Sequence, residues 1–536
     1  VLTLVAVLVV GVWLMQATSG IAWLVAVLLL SGSLVIAFGG LYRSDARPGY
    51  YPLLAIMLLS ILALLRSSTS LEFFFSWEII TLSSCFLIAM GRRAGPHVLT
   101  YLLFSLISAY FLLAGFATIA SISGSIELSA LRIAGPDANL AFVLLAIGFL
   151  VKAGAVGVHI WLPGAYTESD DDFTAMLSAV VSKVAIFGLL VDTYIAIRSD
   201  AGLELGHTLA WVGMLTIIAA ALMALRQNDF KRLLVFSSMS QIGYIIVATA
   251  LMSHLGWVTA LYLVANHMLV KGILFLALAG IILRTGTRCF SQTGGLLHAM
   301  PVTFATVLVA IISMSGLPPL MGFGGKWLLL NAMNERGWHV MAAFGLFGTF
   351  LGFLYMARFV IGLFFGARKV GQADIGEAPV VLLVPQVLLI AGILILSLFP
   401  KLLIEPVSEA IDPQFASSTI WQGMPLEEIY SYWNATPVAI IAVIAATVLF
   451  VLFWMVYRRA RGNGGNFARF IAYYRPFFGR TLPPVAIGFW RGVSFAALTA
   501  AGSLRKVYTG NGQTYALYVL FYFLALYLAS NGTQQF

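Results

Sequence analysis

Charge is what this chain is short of. Only 10% of its 536 residues are Asp, Glu, Lys or Arg, where a soluble domain carries about 25%. With 61% hydrophobic residues, that shortage excludes an ordinary soluble globule and identifies an integral membrane protein. Cysteine is nearly absent too. Cys85 and Cys289 lie in unrelated segments with no CxxC or histidine partner, which excludes a protein-held iron–sulfur cluster and argues against a disulfide framework. No GxGxxG, GxxxxGK[ST] or HExxH pattern occurs, so nucleotide and zinc chemistry lack support and no metal site is expected. The first residue is Val rather than Met, so the natural start is expected upstream.

What is present is a succession of long apolar runs, which predicts spanning helices rather than barrel strands. Roughly fifteen spans are read along the chain: 1–17, 21–40, 50–65, 71–90, 98–123, 138–163, 173–197, 207–225, 233–252, 257–283, 300–334 (broken), 339–366, 378–399, 436–457 and 514–531. If spans alternate, the basic loops fall on one side: Arg43 and Arg47, Arg92 and Arg93, Arg226 to Arg232, Arg284 and Arg288, Arg368 and Lys369, and the arginine-rich run 458–480. That side is expected to be cytoplasmic. The loop 400–435, with Glu405, Glu409, Asp412, Glu427 and Glu428 against Lys401, falls opposite. Residues 483–506, with Arg491 mid-segment, are expected to lie along the cytoplasmic interface with their arginines snorkelling; an ordinary span is the other reading. One loop runs against the charge pattern. Glu168, Asp170, Asp171 and Asp172 fall on the basic side.

Few spans hold a charge away from their ends. The exceptions are Glu78, Lys152, Lys183 and the pair His267 and Lys271, with Glu377 at the start of EAPVVLLVPQVLL. A lysine at a helix centre costs about 2.5–3.5 kcal/mol on the insertion scale, so it persists only where its charge or its proton does something. His267 and Lys271 are four apart and share a helix face. Each has a plainer reading: Lys183 snorkelling, His267 bridging helices, Glu377 opening a helix. Together they are what a proton relay needs. Breaks at Pro163, at Pro385 and in GLPPLMGFGGK (316–326) would admit the water such a relay requires.

The pieces SWEIITLSS, VKAGAVGVHIWLPGAY, SAVVSKVAIFGLL, KRLLVFSSMSQIGY, NHMLVKGILFLALAG, SGLPPLMGFGGKW and EAPVVLLVP resemble the antiporter-like membrane subunits of respiratory complex I, Mrp-type cation/proton antiporters and membrane-bound energy-converting hydrogenases. The resemblance implies an all-α polytopic fold of about 14–16 transmembrane helices with two inverted five-helix repeats, each holding a broken helix, and a C-terminal interfacial helix. The repeats are placed at 50–197 and 198–399, after N-terminal helices in 1–49. The acidic loop 400–435 and C-terminal helices in 436–536 follow.

On the same resemblance Glu78 is the carboxylate partner of Lys152, the broken-helix lysine. Lys183 bridges to the central His267 and Lys271, Glu377 is the terminal carrier, and His159 is the histidine of the H-x-W-L-P turn. Where the family runs neutral with a proline, this chain reads TESDDDFTAM, so Glu168, Asp170, Asp171 and Asp172 are read as gathering cations or meeting a basic partner. The segment RKVYTGNGQTYALYVL resembles the hydrogenase-type subunits more than the Mrp type.

The function expected is proton translocation within a multi-subunit complex, with no cofactor and no redox or hydrolytic site on this chain. Two alternatives stay open: an Mrp-type Na⁺(K⁺)/H⁺ antiporter subunit, or a proton-coupled subunit serving a cytoplasmic enzyme such as a carbon dioxide hydratase. The partners expected are other membrane subunits, a cytoplasmic redox or zinc enzyme arm, H⁺ with Na⁺ or K⁺, and the lipid bilayer of a bacterial or archaeal cytoplasmic membrane; nucleic acid is not expected.

Overall fold

In hydrocarbon every backbone N–H and C=O must find a partner within the chain, and the helix supplies it locally. The computed structural model accordingly is almost wholly helical. It describes residues 2–411 apart from 17, 44–46, 92, 132–135, 197–201 and 367–374, and scattered residues from 420 onward. The helices are α1 (Leu2–Met15), α2 (Gly20–Gly39), α3 (Tyr50–Arg66), α4 (Ser70–Ala89), α5 (Gly95–Ser123), α6 (Pro136–Ala153), α7 (Trp161–Glu168), α8 (Asp171–Met176) and α9 (Ser182–Ala196). They continue with α10 (Gly202–Leu225), α11 (Phe230–Ala250), α12 (His254–Thr285), α13 (Pro301–Ser315), α14 (Met321–Glu335), α15 (His339–Phe364), α16 (Val380–Leu398) and α17 (Lys401–Ala410). Among the described residues nine helices are long and apolar enough to cross a membrane, and four shorter apolar helices accompany them.

Each of the spans read between residues 1 and 399 has its helix or broken helix pair. The spans 436–457 and 514–531 and the interfacial segment 483–506 lie largely outside the described residues. Two details differ from the sequence reading. Pro385 sits buried inside a continuous α16 and breaks nothing. The acidic loop after α17 holds a small antiparallel patch, β1 (Ile420–Trp421), β2 (Leu426–Glu428) and β3 (Ser431–Trp433), ordered β1-β2-β3 with Trp421 opposite Leu426 and Glu427 opposite Tyr432.

Local chemistry sets the helix ends. Thr69 and Glu72 form a reciprocal capping box at the start of α4. Asp229 accepts from the backbone N–H groups of Lys231 and Arg232 to open α11. In the centre, every residue of α11 except Arg232 is buried, and α12 packs against α11, α13, α14 and α16. Around this pair the exposed residues are large and apolar: Phe75, Ile79, Leu82 and Phe86 line one face of α4. Ridges of that kind belong against lipid or another membrane subunit. Polar groups are thereby concentrated on α11, α12 and the interrupted helices.

Candidate functional site

The first interruption lies between α6 and α7. Gly154 and Gly157 take left-handed φ of 74° and 92°, which turns the chain where a side chain would be strained. Breaking a helix orphans backbone groups, and two nearby side chains recover them. The Trp161 indole donates to Val151 O at 2.8 Å, and Val156 N–H donates to Thr216 Oγ1 on α10 at 3.0 Å. His159 hydrogen-bonds the Ala155 backbone. The H-x-W-L-P turn is therefore the plug of this break. Pro163 stands in the first turn of α7, where it is tolerated and breaks nothing.

Lys152 ends α6 at this break and is buried. Its ammonium donates to Tyr101 Oη at 2.7 Å, Thr81 Oγ1 at 2.9 Å and Ser105 Oγ at 3.3 Å. The Tyr101 ring centroid is 4.7 Å away. Among the described residues no ion pair joins Lys152 to Glu78. Glu78 stands one turn before Thr81 on α4, within electrostatic reach of Lys152, and its Oε1 is buried without a hydrogen-bond partner. The expected carboxylate is on the right face but not in contact. Hydroxyls hold the amine.

The centre is built by a π-helical turn, Leu177–Val181, between α8 and α9. Such turns widen a helix and re-aim its side chains and carbonyls. Here the Lys183 ammonium donates to Ser178 O five residues back at 2.7 Å, to Ser182 Oγ at 2.9 Å, and meets His267 Nδ1 of α12 at 2.5 Å. The three donors of the ammonium are thus all used. The tautomer this assigns is a neutral imidazole that accepts at Nδ1 and carries its proton on Nε2, and Nε2 is buried without a partner. One turn along α12, Lys271 donates to Ser237 Oγ at 2.5 Å and Leu234 O at 3.1 Å. Ser178 Oγ lies 2.8 Å from Ser238 Oγ, which donates to Leu234 O at 3.0 Å. Lys183, His267 and Lys271 therefore lie in one buried polar region. Two unit charges 4 Å apart repel by about 4 kcal/mol at an effective dielectric of about 20, so charging all three groups of this centre at once would be costly.

The second interruption separates α13 from α14 at 316–320, and it holds a residue the sequence reading passed over. Lys326 of α14 donates to Met314 O, in the last turn of α13, at 3.1 Å, with its ammonium 5.0 Å from the Tyr244 ring centroid. A helix end leaves such carbonyls free for a donor. Next to Met314, Ser313 Oγ donates to Asn266 Oδ1 at 2.7 Å and accepts from Gly322 N–H at 3.3 Å. Asn266 precedes His267 on α12, so the Ser313–Asn266 pair lies at the level of the central histidine. The signal was in the sequence: a lysine seven residues after Pro319 with apolar sequence beyond it.

Glu377 is elsewhere. It lies at the end of the bundle that holds the basic loops, accepting from Val302 N–H at 2.7 Å, Thr303 Oγ1 at 2.6 Å and Ala378 N–H at 2.8 Å. Arg284 donates to its backbone oxygen. It caps α13, the role of a helix-start carboxylate, and is not brought to the second break. The physical reason is its loop position. Lys326 is the ionisable group of that break.

The four acids of the α7–α8 turn meet bases of this same chain. Arg288 reaches Glu168 at 3.1 Å, Arg43 reaches Asp170 at 2.9 Å, Lys231 reaches Asp171 at 2.7 Å, and Arg47 reaches Asp172 at 2.9 Å. Tyr50 Oη adds a hydrogen bond to Asp172. Burial by itself would lower the basicity of Arg47; the hydrogen bond and charge of Asp172 outweigh it and raise its pKa. Arg288 follows the same pattern with Asp229 and Glu168. The pairs tie four loops together around a polar cavity of about 730 Å³. The basic partner expected for these acids is the chain itself.

Two buried amines beside interrupted helices, with a buried lysine–histidine contact at the centre of the bundle, are now set beside known proteins. Residues 67–352 fit the family model described as NADH:quinone oxidoreductase/Mrp antiporter, TM. The chain belongs to that family.

Among curated relatives of this antiporter-like chain, NADH-quinone oxidoreductase subunit N of Desulforudis audaxviator is 29% identical over 408 residues, covering 72% of this chain and 81% of that one. Na(+)/H(+) antiporter subunit A1 of Staphylococcus epidermidis is 27% identical over 419 residues; the match covers 71% of this chain and 52% of the longer relative.

Of solved structures, the membrane-bound sulfane sulfur reductase, an archaeal respiratory membrane complex, contains a chain of TM-score 0.74 and 28% identity, covering 94% of this chain and 88% of that one. The Mrp complex of a Dietzia species contains one of TM-score 0.69 and 22% identity, covering 76% and 89%, and supports the fold alone. This family member is thus an integral membrane protein of the antiporter-like fold, similar to subunits of multi-subunit membrane complexes.

Proposed function

We propose that this subunit carries protons along Lys152, Lys183, His267, Lys271 and Lys326, as part of a larger membrane complex. The observation that carries the reading is the buried 2.5 Å contact between Lys183 Nζ and His267 Nδ1. An N···N approach that short needs one donor and one acceptor. When Lys183 gives its proton to Nδ1, the imidazole can release the other from Nε2, so a proton arrives on one ring nitrogen and another leaves from the second. Ser178 and Ser238 lie between the pair and Lys271, and Asn266 and Ser313 between the pair and Lys326, with water completing each link on this reading. Glu78, one turn from the Lys152 cradle, is a carboxylate whose approach or withdrawal would set the charge of that amine.

Redox chemistry belongs to partner subunits on this reading. The match over 94% of this chain to a subunit of an archaeal respiratory membrane complex supports a redox-driven assembly, with the basic loops facing the cytoplasm and a cytoplasmic enzyme arm on that side. Loading of Na⁺ or K⁺ by Glu168 and Asp170–Asp172 is less favoured, because each acid already has a cationic partner in the chain. The test is proton flux into proteoliposomes of the purified complex under an imposed potassium diffusion potential. Lys183→Ala and His267→Ala are expected to stop it; parental flux in both removes the central step.

A further inference from the structure

One buried acid has no part in the relay so far. Asp192 of α9 is 0% exposed, and neither carboxyl oxygen has a hydrogen-bond partner. Leaving an ionised carboxylate unpaired in such a place is among the most costly arrangements in a protein. Complete burial also means that no neighbouring subunit can reach it. Only a proton, or water filling the packing around it, can satisfy it.

Its place follows from the packing of α9 on α6. A Cβ at Gly188 would meet the Phe149 ring at 2.1 Å, so these two residues stand at one level. Asp192 is one turn further from the basic loops on the face of Gly188, and Lys152 is three residues from Phe149 in the opposite direction. At about 1.5 Å per residue, the carboxyl lies about 10 Å beyond Lys152 along the bundle. It lies about 13 Å beyond Lys183, on the opposite face of α9.

Few charged groups attend it. On α6, Asn139 is buried with its Oδ1 unsatisfied. On α10, Glu204 is near the helix start and His207 stacks with Trp211 and Trp338. On α11, Tyr244 is engaged by Thr349 and Gly345. On α12, His254 faces Ser408, and Trp257 packs against Tyr194 of α9.

We propose that Asp192 is a proton-holding station on the far side of the first interrupted helix, accepting protons from the Lys152 level through water and passing them toward the face opposite the basic loops. The assignment rests on the relay reading and extends it. The same flux assay tests it on the assembled complex. Asp192→Asn keeps shape and burial but cannot ionise; flux should fall at least about tenfold with assembly unchanged. Asp192→Glu should retain most of the flux. Infrared difference spectra between protonation states should lose a carboxyl C=O band in Asp192→Asn alone.

Parental flux in Asp192→Asn overturns the proposal. Equal loss in the Asn and Glu variants with an unchanged infrared spectrum also overturns it, as a packing role. A Na⁺ dependence of flux that disappears in Asp192→Asn overturns it in favour of a cation site. Lys183→Ala separates the two levels: if that variant is inactive while Asp192→Asn is fully active, only this inference fails, whereas an active Lys183→Ala removes the relay beneath it.

Discussion

Lys183 Nζ and His267 Nδ1, 84 residues apart in the chain, meet at 2.5 Å with both side chains buried. The ammonium spends its other donors on Ser178 O and Ser182 Oγ, so of these three partners the imidazole is the readily titratable one. Replacing His267 with Gln keeps a hydrogen-bonding side chain but removes the second ionisable nitrogen. Proton flux should fall about 10²–10⁴-fold, the usual range for loss of a proton-transfer group, while the complex still assembles.

Lys326 and Glu377 make opposite predictions. Lys326→Ala removes the amine at the second interruption and should abolish most proton flux. Glu377→Gln weakens the cap of α13 and should lower stability by about 1 kcal/mol with flux preserved. Flux and thermal unfolding of the two variants, measured side by side, decide which residue serves the second break.

Trp161 closes the first break by donating to Val151 O. Trp161→Phe retains the ring packing against Tyr101 and Tyr166 but removes one of the two hydrogen bonds on Val151 O, which keeps the Gly154 N–H at 3.2 Å, a loss of about 0.5–1.5 kcal/mol. The expected outcome is a lower unfolding temperature of the detergent-solubilised complex. Unchanged stability would show that the Gly154 N–H alone satisfies Val151 O.

Asp172 is the most buried acid of the α7–α8 turn, held by Arg47 and Tyr50. Asp172→Asn leaves the Arg47 guanidinium only its 3.3 Å pair with Asp170, and breaking a buried pair from one side costs up to about 3–5 kcal/mol. Poor assembly is expected, improved by the second substitution Arg47→Met. The raised pKa of Arg47 gives the sign of the pH effect. Its stabilisation is complete below the ordinary arginine pKa and lost only as pH rises beyond it, so the lock should show no loss from Arg47 on moving from neutral to mildly alkaline pH.

Most of the candidate amines were legible because of where they stand. Lys152, Lys183 and Lys271 interrupt apolar sequence, and a charge in hydrocarbon needs a reason whatever its partners. Their partners were not legible. Thr81, Tyr101 and Ser105 around Lys152 come from helices 47 to 71 residues away, and hydroxyls in membrane helices are too common to stand out. Glu377 was misplaced because closeness to a proline in the chain is not closeness to a break: Pro385 lies inside an intact helix, whereas Lys326 stands at the real one. Asp192 went unnoticed because it is near the end of its span, where sequence cannot distinguish a side chain that reaches water from one sealed between helices.

The sequence by itself determined that the chain crosses a membrane, where the helices up to residue 399 run and that Lys152, Lys183 and Lys271 lie in apolar spans, because apolar length and backbone hydrogen bonding act locally along the chain. Only the tertiary structure decided which of those groups touch, that the four acids are matched within the chain, and which lysine stands at the second interruption. Those outcomes depend on helix faces meeting across tens of residues, and helix packing rather than chain order sets which faces meet.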